Sequence, residues 1–130
     1  MTSLALKLGG LDLPSPIMPA SGTFGLAHAR VFDIARLGAI VPKTVTPRPR
    51  EGHPAPRLTE EAGGLINAIG IPSVGLERFM SRDLPRYRGL GPPLVVSLSA
   101  DTADDFAHAV AQLAAAQVDG IELNLSCPNL

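Results

Sequence analysis

At 130 residues the chain has room for one ordinary domain and not two. Eleven Lys+Arg against 12 Asp+Glu leave a net charge of −1, which argues against a nucleic-acid binder, and a 45% hydrophobic fraction argues against wholesale disorder. A single cysteine excludes an intramolecular disulfide framework and any multi-cysteine zinc or iron–sulfur site, so no metal is expected.

Gly and Pro supply 26 of the 130 residues, so turns and loops take much of the length. Residues 4–8 and 11–13, joined by Gly9-Gly10, predict a β-hairpin, because two glycines fit a two-residue primed turn. Residues 17–20 form a short strand candidate between Pro16 and Pro19. Residues 27–37 predict a helix, with Ala27, Val31, Ile34 and Ala35 on one face and Gly38 as its cap. A second strand is expected over 39–44, then a long loop rich in proline and glycine over 45–74. A short helix over 75–83 should halt before Pro85.

Leu94-Val95-Val96-Ser97-Leu98 is the clearest strand, and 102–117 the clearest helix. Thr102 and Asp105 resemble a capping box there, and Phe106, Val110 and Leu113 share a face. Gly120 breaks the chain before a fourth strand at 121–124. This alternation predicts an α/β fold with βαβ crossovers and a parallel sheet. No apolar run reaches the roughly 18 residues of a membrane span. The first ten residues also lack a signal peptide's charged head and apolar stretch. A cytoplasmic protein without membrane or nucleic-acid partners is expected.

Polar residues gather after the C-terminal ends of these strands: Ser21 and Gly22, Lys43 and Thr44, Ser97 within the third, then Asn124, Ser126 and Cys127. Ligands bind at that edge in open α/β sheets and in β/α barrels, although Ser and Asn also simply begin loops. Lys43 is one of only two lysines against nine arginines, and it ends an apolar strand. It either snorkels to water or holds an anionic ligand and stabilises charge developing on one. Cys127 is either a small buried hydrophobe or, in its polar Asn-Leu-Ser-Cys-Pro-Asn turn, a thiol with access to substrate. His28, His53 and His108 carry no motif and read as structural or solvated. Arg48, Arg50 and Arg57, offset by Glu51, Glu60 and Glu61, read as a solvated loop face.

Taken together, the segments resemble class-1 dihydroorotate dehydrogenases, flavin enzymes of pyrimidine synthesis. The resemblance rests on Pro19-Ala20-Ser21-Gly22-Thr23-Phe24-Gly25 and Val41-Pro42-Lys43-Thr44-Val45-Thr46-Pro47-Arg48-Pro49-Arg50. Pro54-Ala55-Pro56-Arg57, Asn67-Ala68-Ile69-Gly70 and Glu122-Leu123-Asn124-Leu125-Ser126-Cys127-Pro128-Asn129 follow in family order. The last of these with Lys-Thr-Val-Thr-Pro is the most specific combination.

The resemblance implies the N-terminal half of a (β/α)8 TIM barrel preceded by a β-hairpin. Residues 1–130 would then be one incomplete FMN-binding domain with about four of eight strands. It implies FMN near Ala20, Ser21, Lys43, Thr44, Ser97 and Asn124. Dihydroorotate or orotate would be contacted by Lys43, Asn67, Ala68, Ile69, Gly70, Ile71, Asn124 and Asn129. Cys127 falls on the family's catalytic cysteine, with Lys43 as the second catalytic group. The chemistry suits these residue types: a thiolate can take the proton from C5 of dihydroorotate as hydride leaves C6 for the flavin. Asparagines can match the donors and acceptors of an amide-rich ring, and a cation offsets the negative charge.

Three departures stand out. Ser97 replaces an expected asparagine, His53 replaces an asparagine before the Pro-x-Pro-Arg segment, and Ile71-Pro72-Ser73-Val74 replaces an expected Leu-Gln-Asn-Pro. The Asn-Ala-Ile-Gly form leans toward the NAD-linked branch, which implies a partner subunit carrying FAD and an iron–sulfur cluster. The alternative electron acceptor is fumarate, and a homodimer core is implied for the full-length enzyme. Two other readings stay open: a related flavin enzyme of dihydropyrimidine dehydrogenase type, or a non-catalytic half-barrel acting as a binding fragment. A β/α barrel takes about 250 residues, so a truncated barrel is the expectation for this length.

Overall fold

Gly9-Gly10 turns the chain between β1 (Leu6–Leu8) and β2 (Leu11–Leu13), which pair antiparallel with Leu8 opposite Leu11. Lys7 and Asp12 face each other across the pair at 3.6 Å, both exposed, and Leu13 turns inward. The computed structural model describes residues 3–129.

The next two expectations require correction. Residues 17–20 form no strand, and Ile17 is 62% exposed. Pro16 and Pro19 remove the donors a ladder would need. The expected helix over 27–37 is instead two 3₁₀ turns, Leu26–Arg30 and Ile34–Arg36. Asp33 restarts the chain by accepting from the Ala35 N–H at 3.2 Å, and Val31 is left 85% exposed. Only Ile34 and Leu37 of this stretch reach the core, so the 3.6-residue period is not used. Gly38 caps no helix; its N–H donates to the Ile17 carbonyl at 2.8 Å.

Residues 39–44 are buried and extended as expected, apart from Lys43, but they do not form a regular strand. Parallel bridges join Ile40 to Leu94 and Val45 to Leu98. Five residues separate Ile40 from Val45, whereas four separate Leu94 from Leu98. The extra residue is a bulge, and Pro42 inside it contributes no N–H. Side chains alternate along a strand, so without the bulge Ile40 and Val45 would face opposite sides. With it, both enter the core.

The 45–74 segment is not wholly loop. β3 (Leu58–Glu61) and β4 (Gly64–Asn67) form an antiparallel hairpin, with Glu61 opposite Gly64 and Leu58 opposite Asn67. Both strands are exposed along their length, so no in–out alternation marks them in the sequence.

Helical structure then begins at α1 (Leu76–Arg78) and does not stop before Pro85. It widens to a π turn over Phe79–Asp83, where the Leu84 N–H reaches the Phe79 carbonyl, and continues as α2 (Leu84–Arg88). Pro85 sits in the first turn of α2, where the widened spacing removes the need for its missing N–H. β5 (Val95–Leu98), α3 (Ala103–Ala115) and β6 (Gly120–Leu123) complete a β–α–β unit, with β5 and β6 parallel. Thr102 caps α3, its oxygen accepting from the Asp105 N–H at 3.1 Å.

The core lies between this sheet and its helices. Ile40, Val45, Leu94, Val96 and Leu98 pack on Leu76, Phe79, Leu84 and Tyr87 and on Ala109 and Leu113 of α3. The observed architecture is therefore mixed α/β, with the opposite face of β5 free to carry Ser97. No helix among the described residues is long and apolar enough to cross a membrane.

Candidate functional site

Three hydroxyls meet at the C-terminal edge of the sheet. Ser97 alternates away from the core side of β5 and is fully buried, 3.2 Å from Thr44 Oγ1. Thr44, placed by the bulge, in turn donates to Ser21 Oγ at 3.5 Å. Ser21 stands in a tight turn, because the Ala20 carbonyl accepts from both the Thr23 N–H at 3.1 Å and the Thr23 hydroxyl at 2.7 Å. Lys43 lies over the same turn: a Cβ on Gly22 would stand 3.0 Å from Lys43 Cδ and 3.6 Å from Nζ. Gly22, at φ +81°, thus leaves the room that the lysine stem occupies. Lys43 itself is exposed and has no acidic partner within ion-pair distance among the described residues. Asn124 joins this edge through its N–H, which donates to the Leu98 carbonyl at 2.8 Å.

A second cluster forms around the 67–71 turn. Asn67 ends β4, and the Ala68 N–H donates to the Arg57 carbonyl at 2.9 Å. The Ile69 carbonyl accepts from the His53 N–H at 3.1 Å, and the Ile69 N–H donates to Asn129 Oδ1 at 2.8 Å. Gly70 has φ +76°, and a Cβ there would stand 2.9 Å from the His53 ring. Ile71 is also left-handed at φ +42°, an uncommon state for a β-branched residue, and its side chain is buried. The turn is thus held from both sides, by the 52–57 segment and by the loop after β6. Cys127 lies in that loop, half-buried and with a free thiol.

The structure brings Ser21, Lys43, Thr44 and Ser97 together, and separately joins residues 67–71 to Asn129. It gives Cys127 no hydrogen-bonded histidine among the described residues. A cavity of about 330 Å³ adjoins the same bulged segment, lined by Lys43, Thr44, Arg50, Phe79, Asp83 and Tyr87 among others. Neither Ser21, Ser97, Asn124 nor Cys127 lines it.

Sequence reasoning missed two supports. Arg57 is not part of a solvated face: its Nε donates to the His53 carbonyl and its Nη2 to the Glu51 carbonyl at 3.0 Å. Arg50 likewise turns to Asp101, 3.5 Å away. No local signal marks the Arg57 bonds, since the accepting carbonyls belong to Glu51 and His53 and not to the prolines beside Arg57. Tyr87 is the other support. Burial pushes its phenol above the usual range, the hydrogen bond to the Leu26 backbone works the other way, and Asp83 adds to the rise. Its hydroxyl lies 3.6 Å from where a Gly25 Cβ would be, so α2 holds the strand-end turn from behind.

Comparison with known proteins places the sequence in a family. The family model for dihydroorotate dehydrogenase matches residues 3–130. The chain is 42% identical over 133 residues to a protein named dihydroorotate dehydrogenase B (NAD(+)), catalytic subunit, from Listeria monocytogenes serotype 4a (strain HCC23). That match covers 100% of this chain and 44% of the relative. Proteins of the same name from Geobacillus kaustophilus (strain HTA426) and Thermoanaerobacter sp. (strain X514) are 42% and 39% identical. They are matched over 100% and 98% of this chain, and over 42% and 43% of their own lengths. The chain thus spans less than half the length of the relatives it matches. By its sequence over residues 3–130, this chain belongs to the dihydroorotate dehydrogenase family.

Proposed function

We propose that the chain is the N-terminal half of a (β/α)8 barrel, preceded by a hairpin, of an FMN-dependent dihydroorotate dehydrogenase that oxidises dihydroorotate to orotate. The observation that carries this reading is the hydrogen bond from the Ile69 N–H to Asn129 Oδ1. It joins the 67–71 turn to the loop bearing Cys127, two segments 60 residues apart that the same substrate must touch.

The donor set at the strand ends fits a flavin. Lys43 offers a cation with no acidic partner among the described residues, and Ser21 and the Asn124 amide offer neutral donors and acceptors suited to a ring edge rich in carbonyls and N–H groups. When bound, FMN supplies the hydride acceptor. Lys43 offsets negative charge that develops at the site. Asn67, Asn124 and Asn129 orient a substrate that combines a carboxylate with an amide-rich ring. Cys127 Sγ, as thiolate, removes the proton from C5, and hydride leaves from C6, so the substrate loses two electrons and two hydrogens.

The names of the relatives support the NAD-linked branch. In this reading a partner subunit carries FAD and an iron–sulfur cluster. The protein as its gene encodes it should purify with FMN, and orotate should perturb its visible spectrum. Replacing Cys127 by Ala should lower dihydroorotate oxidation at pH 7 by on the order of a hundredfold or more while FMN stays bound. An FMN-loaded protein whose spectrum ignores orotate points instead to the related dihydropyrimidine enzymes. A Cys127→Ala protein with wild-type rates removes the cysteine as base.

A further inference from the structure

We propose that Ser97 and Thr44 are positioning residues: they fix the Ser21 hydroxyl as an outward hydrogen-bond donor, so that the ligand atom it meets must be an acceptor. The proposal rests on the flavin reading above and adds a direction to it.

The direction starts at the buried end. Ser97 is fully buried, and its side-chain partner is Thr44 Oγ1 at 3.2 Å. A buried hydroxyl carries one proton, and leaving that proton without an acceptor is costly. Ser97 therefore donates to Thr44. Thr44, itself only 3% exposed, has then accepted and directs its own proton to Ser21 Oγ at 3.5 Å. Ser21 is half-buried, and having accepted from Thr44 it keeps its own proton for an acceptor outside this chain of hydroxyls. With one proton per hydroxyl, order set at Ser97 is passed along unchanged, and each bond polarises the next.

The three residues come from three separate segments, the turn after Ala20, the bulged 39–45 segment and β5, and the bulge between Ile40 and Val45 is what brings Thr44 into line with Ser97. An asparagine at position 97 would reach farther and present both donor and acceptor; serine stops at Thr44. Ser97 thus acts on the ligand through Thr44 and does not touch it.

The test uses the FMN-loaded protein as its gene encodes it, with FMN affinity read from flavin fluorescence and the flavin midpoint potential read alongside. Ser97→Ala and Thr44→Val should each weaken FMN binding by about threefold to tenfold, the worth of one neutral hydrogen bond. The double variant should be no worse than Thr44→Val alone, because both act through one chain. Thr44→Ser, which keeps the hydroxyl, should restore wild-type affinity and potential. Additive losses in the double variant overturn the proposal by giving Ser97 its own contact. So does wild-type affinity in both single variants. Should Ser97→Ala fail to fold, Thr44→Ser against Thr44→Val decides alone, and equal losses in the two overturn the relay. A wild-type protein that takes up no FMN overturns the flavin reading, a different outcome from FMN binding that ignores these variants.

Discussion

Asn129 Oδ1 accepts the backbone N–H of Ile69 at 2.8 Å, linking the loop that bears Cys127 to the turn that precedes Ile71. Because a backbone N–H can only donate, this bond fixes which end of the Asn129 amide faces the turn. In the proposed substrate role the amino end meets the ligand, and it can only donate.

Asn129→Asp keeps the acceptor for Ile69 but removes the outward donor and adds a negative charge. It should melt within a few degrees of wild type yet bind orotate at least about tenfold more weakly. Asn129→Ala removes the acceptor too and should cost about 1 kcal/mol of stability in addition. Thermal melts and spectral titration with orotate check both. Equal destabilisation by Asp and Ala would contradict the assigned amide orientation.

Gly70 carries φ +76° and lies against the His53 ring and backbone, so an alanine there meets both a conformational and a steric obstacle. Gly70→Ala should lose about 1–3 kcal/mol in urea unfolding. Gly63→Ala is the matched control: its Cβ would meet nothing within 4 Å, and it should stay within about 0.5 kcal/mol of wild type.

Tyr87 is the only tyrosine, and the chain has no tryptophan, so phenolate absorbance reports this one group. Burial raises its pKa above the ordinary 10.0. A raised pKa means that the folded state holds the proton more tightly than the unfolded state. Its contribution to stability is therefore full below pH 10.0 and is lost as the pH climbs through the folded value. Unfolding monitored above pH 10 should show a steeper loss for wild type than for Tyr87→Phe, which cannot ionise. Phenolate absorbance of the native protein should appear later in an alkaline titration than that of the urea-unfolded chain.

Legibility in the sequence followed the range of the forces involved. Val95–Leu98 and Ala103–Ala115 lie where their local patterns predict, because each carries its own signal, an apolar run and a capped 3.6-residue period. Gly120, expected to break the chain before a strand at 121–124, instead opens β6 opposite Val95, and the strand ends at Leu123. Thr102 does cap the helix as its spacing to Asp105 implies. Residues 27–37 show the opposite case. Their apolar spacing matches a helix, but Asp33 finds a closer partner in the Ala35 N–H, and tertiary packing claims only Ile34 and Leu37. Pro85 reads as a stop, yet the π turn before it lets the helix pass.

The same division runs through the candidate site. Sequence alone determined which residue types stand along this edge, since Ser21, Lys43, Thr44, Ser97 and Asn124 are recognisable by motif and position. Tertiary structure decided how they meet. The bulge between Ile40 and Val45 exists only against the register of Leu94 and Leu98, and it sets Thr44 against Ser97. Asn129 finds Ile69, and Arg57 finds the His53 carbonyl, through bonds that no local pattern announces. Local signals are written in neighbouring side chains, whereas register and hydrogen-bond pairing are settled only when distant backbone groups must satisfy one another on leaving water.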